Sequence, residues 1–113
     1  MIVCHASTFW PHHLGHTHYT DGLIAGMRRH QPDRHLVAAE QGSDPLDSEA
    51  VRCVPCFSSR QDFSGPISEL ARREGAQVVL VQYSPDLFGD DERIVRLLRA
   101  LREAGIASVV NPH

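Results

Sequence analysis

Short apolar runs alternate along the chain with longer stretches in which apolar residues recur every third or fourth position. Met1–Ala6 is apolar and bounded by polar residues, which predicts a buried strand. From about Thr17 to His30, Tyr19, Leu23 and Met27 recur at every fourth position with Thr20 and Ile24 alongside, predicting an amphipathic helix with that face inward. Gly22 and Gly26 each weaken such a helix by about 1 kcal/mol relative to alanine, which points to close packing against a sheet or a ligand. Pro32-Asp33 ends the element, and His35–Ala39 supplies a second strand.

Glu40–Ala50 is polar, contains Gly42 and Pro45, and reads as a loop. Val51–Pro55 predicts a third strand, placed near an edge because proline cannot donate to a ladder. After the polar Phe57–Ser64 comes Ser64-Gly65-Pro66, a helix start in which serine or glycine caps and the proline needs no N–H. Ile67, Leu70 and Ala71 give its apolar stripe, and Gly75 stands where a left-handed C-terminal cap belongs. Gln77–Gln82 is apolar on both faces, as a central strand covered from each side requires. Asp90-Asp91-Glu92 puts negative charge at the start of another helix, in which Ile94, Leu97, Leu98 and Leu101 share one face. Gly105 ends that helix, and Ile106–Val110 predicts a fifth strand.

Alternating strands and helices predict an α/β fold: a Rossmann-like, three-layer parallel sheet of about five strands in the order 3-2-1-4-5. The connection between the second and third strands lacks a strong helix and departs from that pattern. In this order the first and fourth strands flank the point where the chain reverses direction, and ligands of such sheets bind outside the strand C-termini there. The segments reaching that crevice are Ser7–Thr17, Tyr83–Gly89 and Asn111–His113.

Composition narrows the possibilities further. A chain of 113 residues supports a single core. Its net charge is −3, lysine is absent, and Arg93, Arg96, Arg99 and Arg102 fall at helical spacing, as on a solvated helix face. No basic patch with interleaved aromatics marks a nucleic-acid reader, so no nucleic-acid partner is expected. No apolar run approaches the roughly 20 residues that span a bilayer, and Met1–Ala6 lacks the basic start and long apolar centre of a signal peptide. A cytoplasmic location without a transmembrane segment is the expectation.

Three cysteines cannot all pair with one another. Cys4 reads as a small core residue. Cys53-Val54-Pro55-Cys56 has redox or zinc spacing, yet residues three apart on a strand point to opposite faces, so the sulfurs converge only if Pro55 bends the chain. His12, His13, His16 and His18 crowd one loop but lack a carboxylate or thiolate partner of fixed geometry, so no metal site is expected.

The segment Ser7–Asp21 is the densest in chemistry. A strand, a glycine-bearing turn and a helix in succession aim unpaired N–H groups above a parallel sheet, and here Phe9, Trp10, hydroxyls and imidazoles accompany them. Phe9 and Trp10 suit either stacking on a ligand or packing under the loop. Tyr83, at the end of the fourth strand, suits either the crevice or a cap on the core, and Asp86 nearby suits either a ligand hydroxyl or solvent.

The run Met1–Pro11, the glycine loop after it, the helix ending near Met27-Arg28-Arg29, the strand His35–Ala39, Val78–Tyr83 and Ile106–His113 together resemble the N-terminal half of a family 4 glycosyltransferase of GT-B fold. The resemblance spans nearly the whole chain and lies in the order and spacing of these pieces. It implies a retaining enzyme that moves a sugar from a nucleotide-sugar to an acceptor in a cleft between two Rossmann-like domains, with no cofactor. By that resemblance His113 matches a histidine beside the transferring sugar and is the catalytic candidate. Gly15 matches the first glycine of the loop that approaches the donor diphosphate, and His16 replaces a usual second glycine. Ser7, Trp10, Gly15, His16 and Tyr83 are the donor- or acceptor-binding candidates. The donor-binding C-terminal domain of that family, with its paired glutamates, is not in this sequence. The chain is therefore expected to be an incomplete N-terminal domain, with Ile106–Val110 as a bare edge, weak or no nucleotide-sugar binding and no activity unless a C-terminal domain or completing chain joins it. The competing expectation is a stand-alone flavodoxin-like or receiver-like binding module. His5-Ala6-Ser7 and Gln82-Tyr83-Ser84 lack a receiver's acidic residues, and Phe9-Trp10-Pro11 interrupts a flavodoxin-type phosphate loop.

Overall fold

Apolar runs and helical stripes assemble around one six-stranded sheet. The computed structural model describes residues 1–11, 15–31, 33–83, 88 and 91–112. In chain order the elements are β1 (Ile2–Ser7), α1 (Gly15–His30), β2 (Arg34–Glu40), β3 (Leu46–Asp47), β4 (Val51–Phe57), α2 (Ser64–Glu74), β5 (Val78–Tyr83), α3 (Asp91–Glu103) and β6 (Ala107–Pro112). The sheet order is β3-β4-β2-β1-β5-β6, and every neighbouring pair is parallel except β3 with β4.

Strand count and order therefore differ from the five-strand expectation. The added strand is β3, two residues inside the stretch read as a loop, paired through Leu46 to Cys53 and Asp47 to Arg52. So short a strand has too little apolar periodicity to stand out from a polar segment. It also moves β4 in from the end of the sheet. Pro55 nevertheless lies beyond the last β3 pair, and the β2–β4 register shifts between Ala39 and Glu40, so the missing N–H falls beside a bulge.

Strand parity separates two faces. Cys4, Ala6, Leu36, Ala38, Val79 and Val81 meet α2 and α3 through Ile67, Leu70, Leu97 and Leu101, with Phe57, Phe63 and Phe88 packed at one end of this larger core. Phe9, Val37, Ala39 and Cys53 meet Ile24 of α1 on the opposite face. Each fully buried aliphatic or aromatic side chain contributes about 1.5–3 kcal/mol by leaving water, so the first cluster dominates the packing. Over β5 only that face is well covered. Val78 and Leu80 on the α1 side are half-buried, contrary to the expectation of a helix on each side.

Helix ends divide into agreement and correction. Gly75 and Gly105 both adopt positive φ, 77° and 74°, and the residue after each returns an N–H to the helix: Ala76 to Ala71 O and Ile106 to Leu101 O, both at 2.9 Å. That is the left-handed glycine cap read from the sequence. The start of α2 is different: Phe63 is the cap and gives no side-chain bond. Ser64 is already helical, and its N–H and Oγ both donate to Asp62 Oδ1, at 3.0 and 2.7 Å. Those two bonds, the hydroxyl's first, hold Asp62 below the usual carboxylate range.

The face of α1 is corrected in part: Thr20 and Ile24 lie inward as expected, and the rest of the expected stripe does not. Its buried residues are Thr17, Thr20 and Ile24, whereas Tyr19 is 42% exposed and Leu23 and Met27 are half-buried. The helix turns hydroxyls inward because the sheet beneath offers polar partners, and its more apolar flank is left to the side. Gly22 and Gly26 also have a different setting from the one expected, since a Cβ at either would meet nothing within 4 Å.

Candidate functional site

At the C-terminal rim of the sheet, β1 passes into α1 through a cis Trp10–Pro11 bond. Four hydroxyls fix this junction. Thr20 Oγ1 donates to Ser7 Oγ at 2.9 Å, Ser7 Oγ donates to the His16 carbonyl at 3.3 Å, and the Thr8 and Thr17 hydroxyls lie 2.7 Å apart. Ser7, Thr8, Thr17 and Thr20 are all essentially fully buried. Buried hydroxyls need such partners, because an unmatched one costs about 1–3 kcal/mol. The result is a first turn of α1 clamped to the end of β1, with its leading N–H groups at the rim.

A second set of bonds braces the loop from the side. The Phe9 N–H donates to Ser43 Oγ at 3.3 Å, and the Asp44 N–H donates to the Trp10 carbonyl at 2.7 Å. Phe9 is buried in the α1-side cluster, which settles its role as packing under the loop. Trp10 is half-buried and meets the edge of His18 with ring centroids 4.9 Å apart.

The candidate residues do not all meet in one place. Ser7 is buried and its hydroxyl is engaged in positioning α1. Gly15 opens α1, is exposed, and has open space where a Cβ would be. His16 follows it, half-buried. Tyr83 instead packs with the core on the other face, its ring stacked on Phe88 at 6.4 Å. His113, the catalytic candidate, lies outside the described residues, as do His12, His13 and Asp86. The C-termini of β1, β5 and β6 share one rim because the three strands are parallel.

Sequence reasoning missed a row of neutral polar groups on the α1 side. Asn111 Nδ2 donates to Tyr19 Oη at 2.9 Å and to Gln82 Oε1 at 3.1 Å, joining β6, α1 and β5. Gln82 is fully buried. A signal was present: Gln82 and Asn111 are amides near the ends of two mainly apolar strands, and they pair directly in register.

The cysteines offer no reactive thiol. Cys53 lies in the α1-side cluster and Cys56 against the other one, so the intervening chain separates their sulfurs as strand geometry requires. Burial raises Cys4 and Cys53 to about 12 and Cys56 to about 11. Among the described residues no group of three or more His, Cys, Asp or Glu is placed to hold a metal ion, and no helix is long and apolar enough to cross a membrane. A depression of about 700 Å³ lined by Arg28, Asp33, Arg34, Ser48, Glu49 and Ala50 opens at the opposite rim, where β2 and β4 begin.

No family model matches the chain, and no curated protein matches it. The chemistry of the rim is thus the basis for a functional reading.

Proposed function

We propose that this chain is the acceptor-side half of a retaining glycosyltransferase of GT-B type, resembling family 4. In this reading the sheet is a Rossmann-like N-terminal domain. The first turn of α1 approaches the diphosphate of a nucleotide-sugar, and the rim beside it receives the acceptor. The observation that carries the reading is the clamped β1–α1 junction at the point where the sheet order reverses. Gly15 presents bare backbone there, with nothing within 4 Å of its Cβ position. A helix N-terminus so held stabilises an anion through oriented N–H groups that need no reorganisation on binding.

His113 is the proposed contact to the transferring sugar, resting on the resemblance alone. His16, where the family usually has a second glycine, offers an imidazole beside the phosphate in place of closer backbone approach. Donor contacts of the kind made by paired glutamates have to come from a second domain, so the isolated chain is inactive. The test is transfer measured with a panel of nucleotide-sugars and acceptors, first with the 113-residue chain and then with the chain fused to a family 4 donor domain. Silence from the first and transfer by the second is expected. Turnover by the chain alone contradicts the half-enzyme reading.

A further inference from the structure

The α1 side of the sheet is covered unevenly. Val37 and Ala39 are fully buried near α1, but on β5 and β6 Leu80 is only half-buried and Val109 is 51% exposed. Parallel sheets are ordinarily covered on both faces, so this shelf is an unusual place to leave aliphatic side chains in water. Register places Leu80 opposite Val109 and, two residues on, Gln82 opposite Asn111. The apolar pair and the amide pair therefore sit side by side on one face.

Both hydrogens of Asn111 Nδ2 are committed, to Tyr19 Oη and Gln82 Oε1. Its Oδ1 is thus the acceptor the amide has left for an incoming group. Tyr19 adds an aromatic ring that is 42% exposed and a hydroxyl polarised by the bond it accepts. Gln82, fully buried, fixes the row from beneath. None of Tyr19, Leu80, Gln82, Val109 and Asn111 carries a formal charge. An ionic head would find no counter-charge among them, whereas a hydroxyl finds the Asn111 amide beside the face of the Tyr19 ring, and a hydrocarbon finds the aliphatic side chains of Leu80 and Val109.

We propose that this shelf is a binding subsite for a neutral, hydroxyl-bearing amphipath. A sugar or polyol head sits on Asn111 and the Tyr19 ring, and an apolar body lies along Leu80 and Val109. Naming that ligand the transfer acceptor rests on the function proposed above; the binding itself does not.

The test uses the full chain and octyl β-glucoside below its micellar concentration, followed by amide and side-chain NMR. Saturable shifts of the Asn111 side-chain amide, Tyr19 and Val109 are expected. Glucose alone and octyl sulfate should each bind about tenfold more weakly, a difference of about 1.4 kcal/mol. Asn111→Leu and Tyr19→Ala should weaken octyl glucoside by at least about that factor. Tyr19→Phe, which keeps the ring and the fold, should show a smaller loss in the same direction. Shifts that do not saturate, equal binding of octyl sulfate, or unchanged affinity in all three variants overturn the proposal. So does concentration-dependent broadening of the same resonances without ligand, which would make the shelf a contact between copies. If octyl glucoside fails while nucleotide-sugars move the Gly15–His18 amides, the subsite falls and the transfer reading stands. The opposite pattern keeps the subsite and removes the donor site.

Discussion

His5 Nε2 lies 3.0 Å from His35 Nδ1 on the adjacent strand, with the two rings stacked at 5.2 Å and the side chains 0% and 2% exposed. One shared hydrogen bond cannot satisfy two neutral imidazoles. Whichever ring donates, the outer nitrogens, His5 Nδ1 and His35 Nε2, are left without a partner. Burial first, and His35 second, push His5 down to about 3. Burial also lowers His35, with Asp33 opposing and Arg28 reinforcing the shift.

Both histidines therefore bind protons more readily in the unfolded chain, and stability must fall as pH drops. It is complete above the ordinary histidine pKa of about 6.5 and declines below it, for His5 down to about 3 and at up to about 1.4 kcal/mol per pH unit, with His35 adding to the loss in the same direction. Urea denaturation between pH 8 and 5 checks this. The double variant His5→Leu/His35→Leu should flatten the dependence over that range. At pH 8 it should be at least as stable as the parent, because removing both partners together leaves no orphaned polar atom. A parent whose stability stays level down to pH 5 contradicts the account.

Glycines divide by backbone conformation. Gly22 and Gly26 lie in α1 with open space at their Cβ positions. Substituting alanine at either should stabilise the chain by about 0.5–1 kcal/mol. Gly75→Ala and Gly105→Ala should instead destabilise by about 1–2 kcal/mol, since φ of 77° and 74° forces an L side chain into the left-handed region. Thermal midpoints of the four variants should move in opposite directions by pair.

Much of this division was visible in the sequence, and the exceptions have physical causes. Gly75 and Gly105 were legible as caps because each follows a helical stripe and precedes an apolar run. Ile94, Leu97, Leu98 and Leu101 were legible because a helix lying on an apolar sheet must show its spacing. The inward face of α1 was legible only at Thr20 and Ile24, since hydrophobic periodicity favours Tyr19, Leu23 and Met27, while the end of β1 presents Ser7 and Thr8 and so selects Thr20 and Thr17. Strand β3 was hidden by its two-residue length. At the rim, the β1–α1 junction was legible from its strand, turn and helix order. The row Tyr19, Gln82 and Asn111 exists only once β5 and β6 are in register.

Phe57, Phe63 and Phe88 form a triangle of rings with centroids 5.0 to 5.9 Å apart, all at 1% exposure or less. It closes the α2–α3 side of the core below Tyr83. Phe63→Ala should cost about 3–5 kcal/mol, a large part of the stability of a domain this size. Phe63→Leu should recover part of that loss. A urea midpoint for Phe63→Ala close to that of the parent argues against the triangle.

The hydroxyl clamp makes a separate expectation. Thr20→Val keeps the shape of the side chain but removes the donor to Ser7 Oγ. A loss of about 1–2 kcal/mol is expected, seen as a lower urea midpoint with an unchanged slope. Amide exchange in the first turn of α1 should accelerate more than exchange in β1, because the turn is the part released.

The most direct test of the central claim, that the N-terminal turn of α1 receives a nucleotide-sugar diphosphate, is an amide NMR titration of the chain with uridine, guanosine and adenosine diphosphate sugars. Saturable shifts concentrated at Gly15, His16, Thr17 and His18, reached at millimolar ligand with at least one nucleotide, are the expected result. Absence of any such shift across the panel, both from the chain alone and from the chain fused to a family 4 donor domain, or shifts confined to the opposite rim around Arg28 and Arg34, would contradict it.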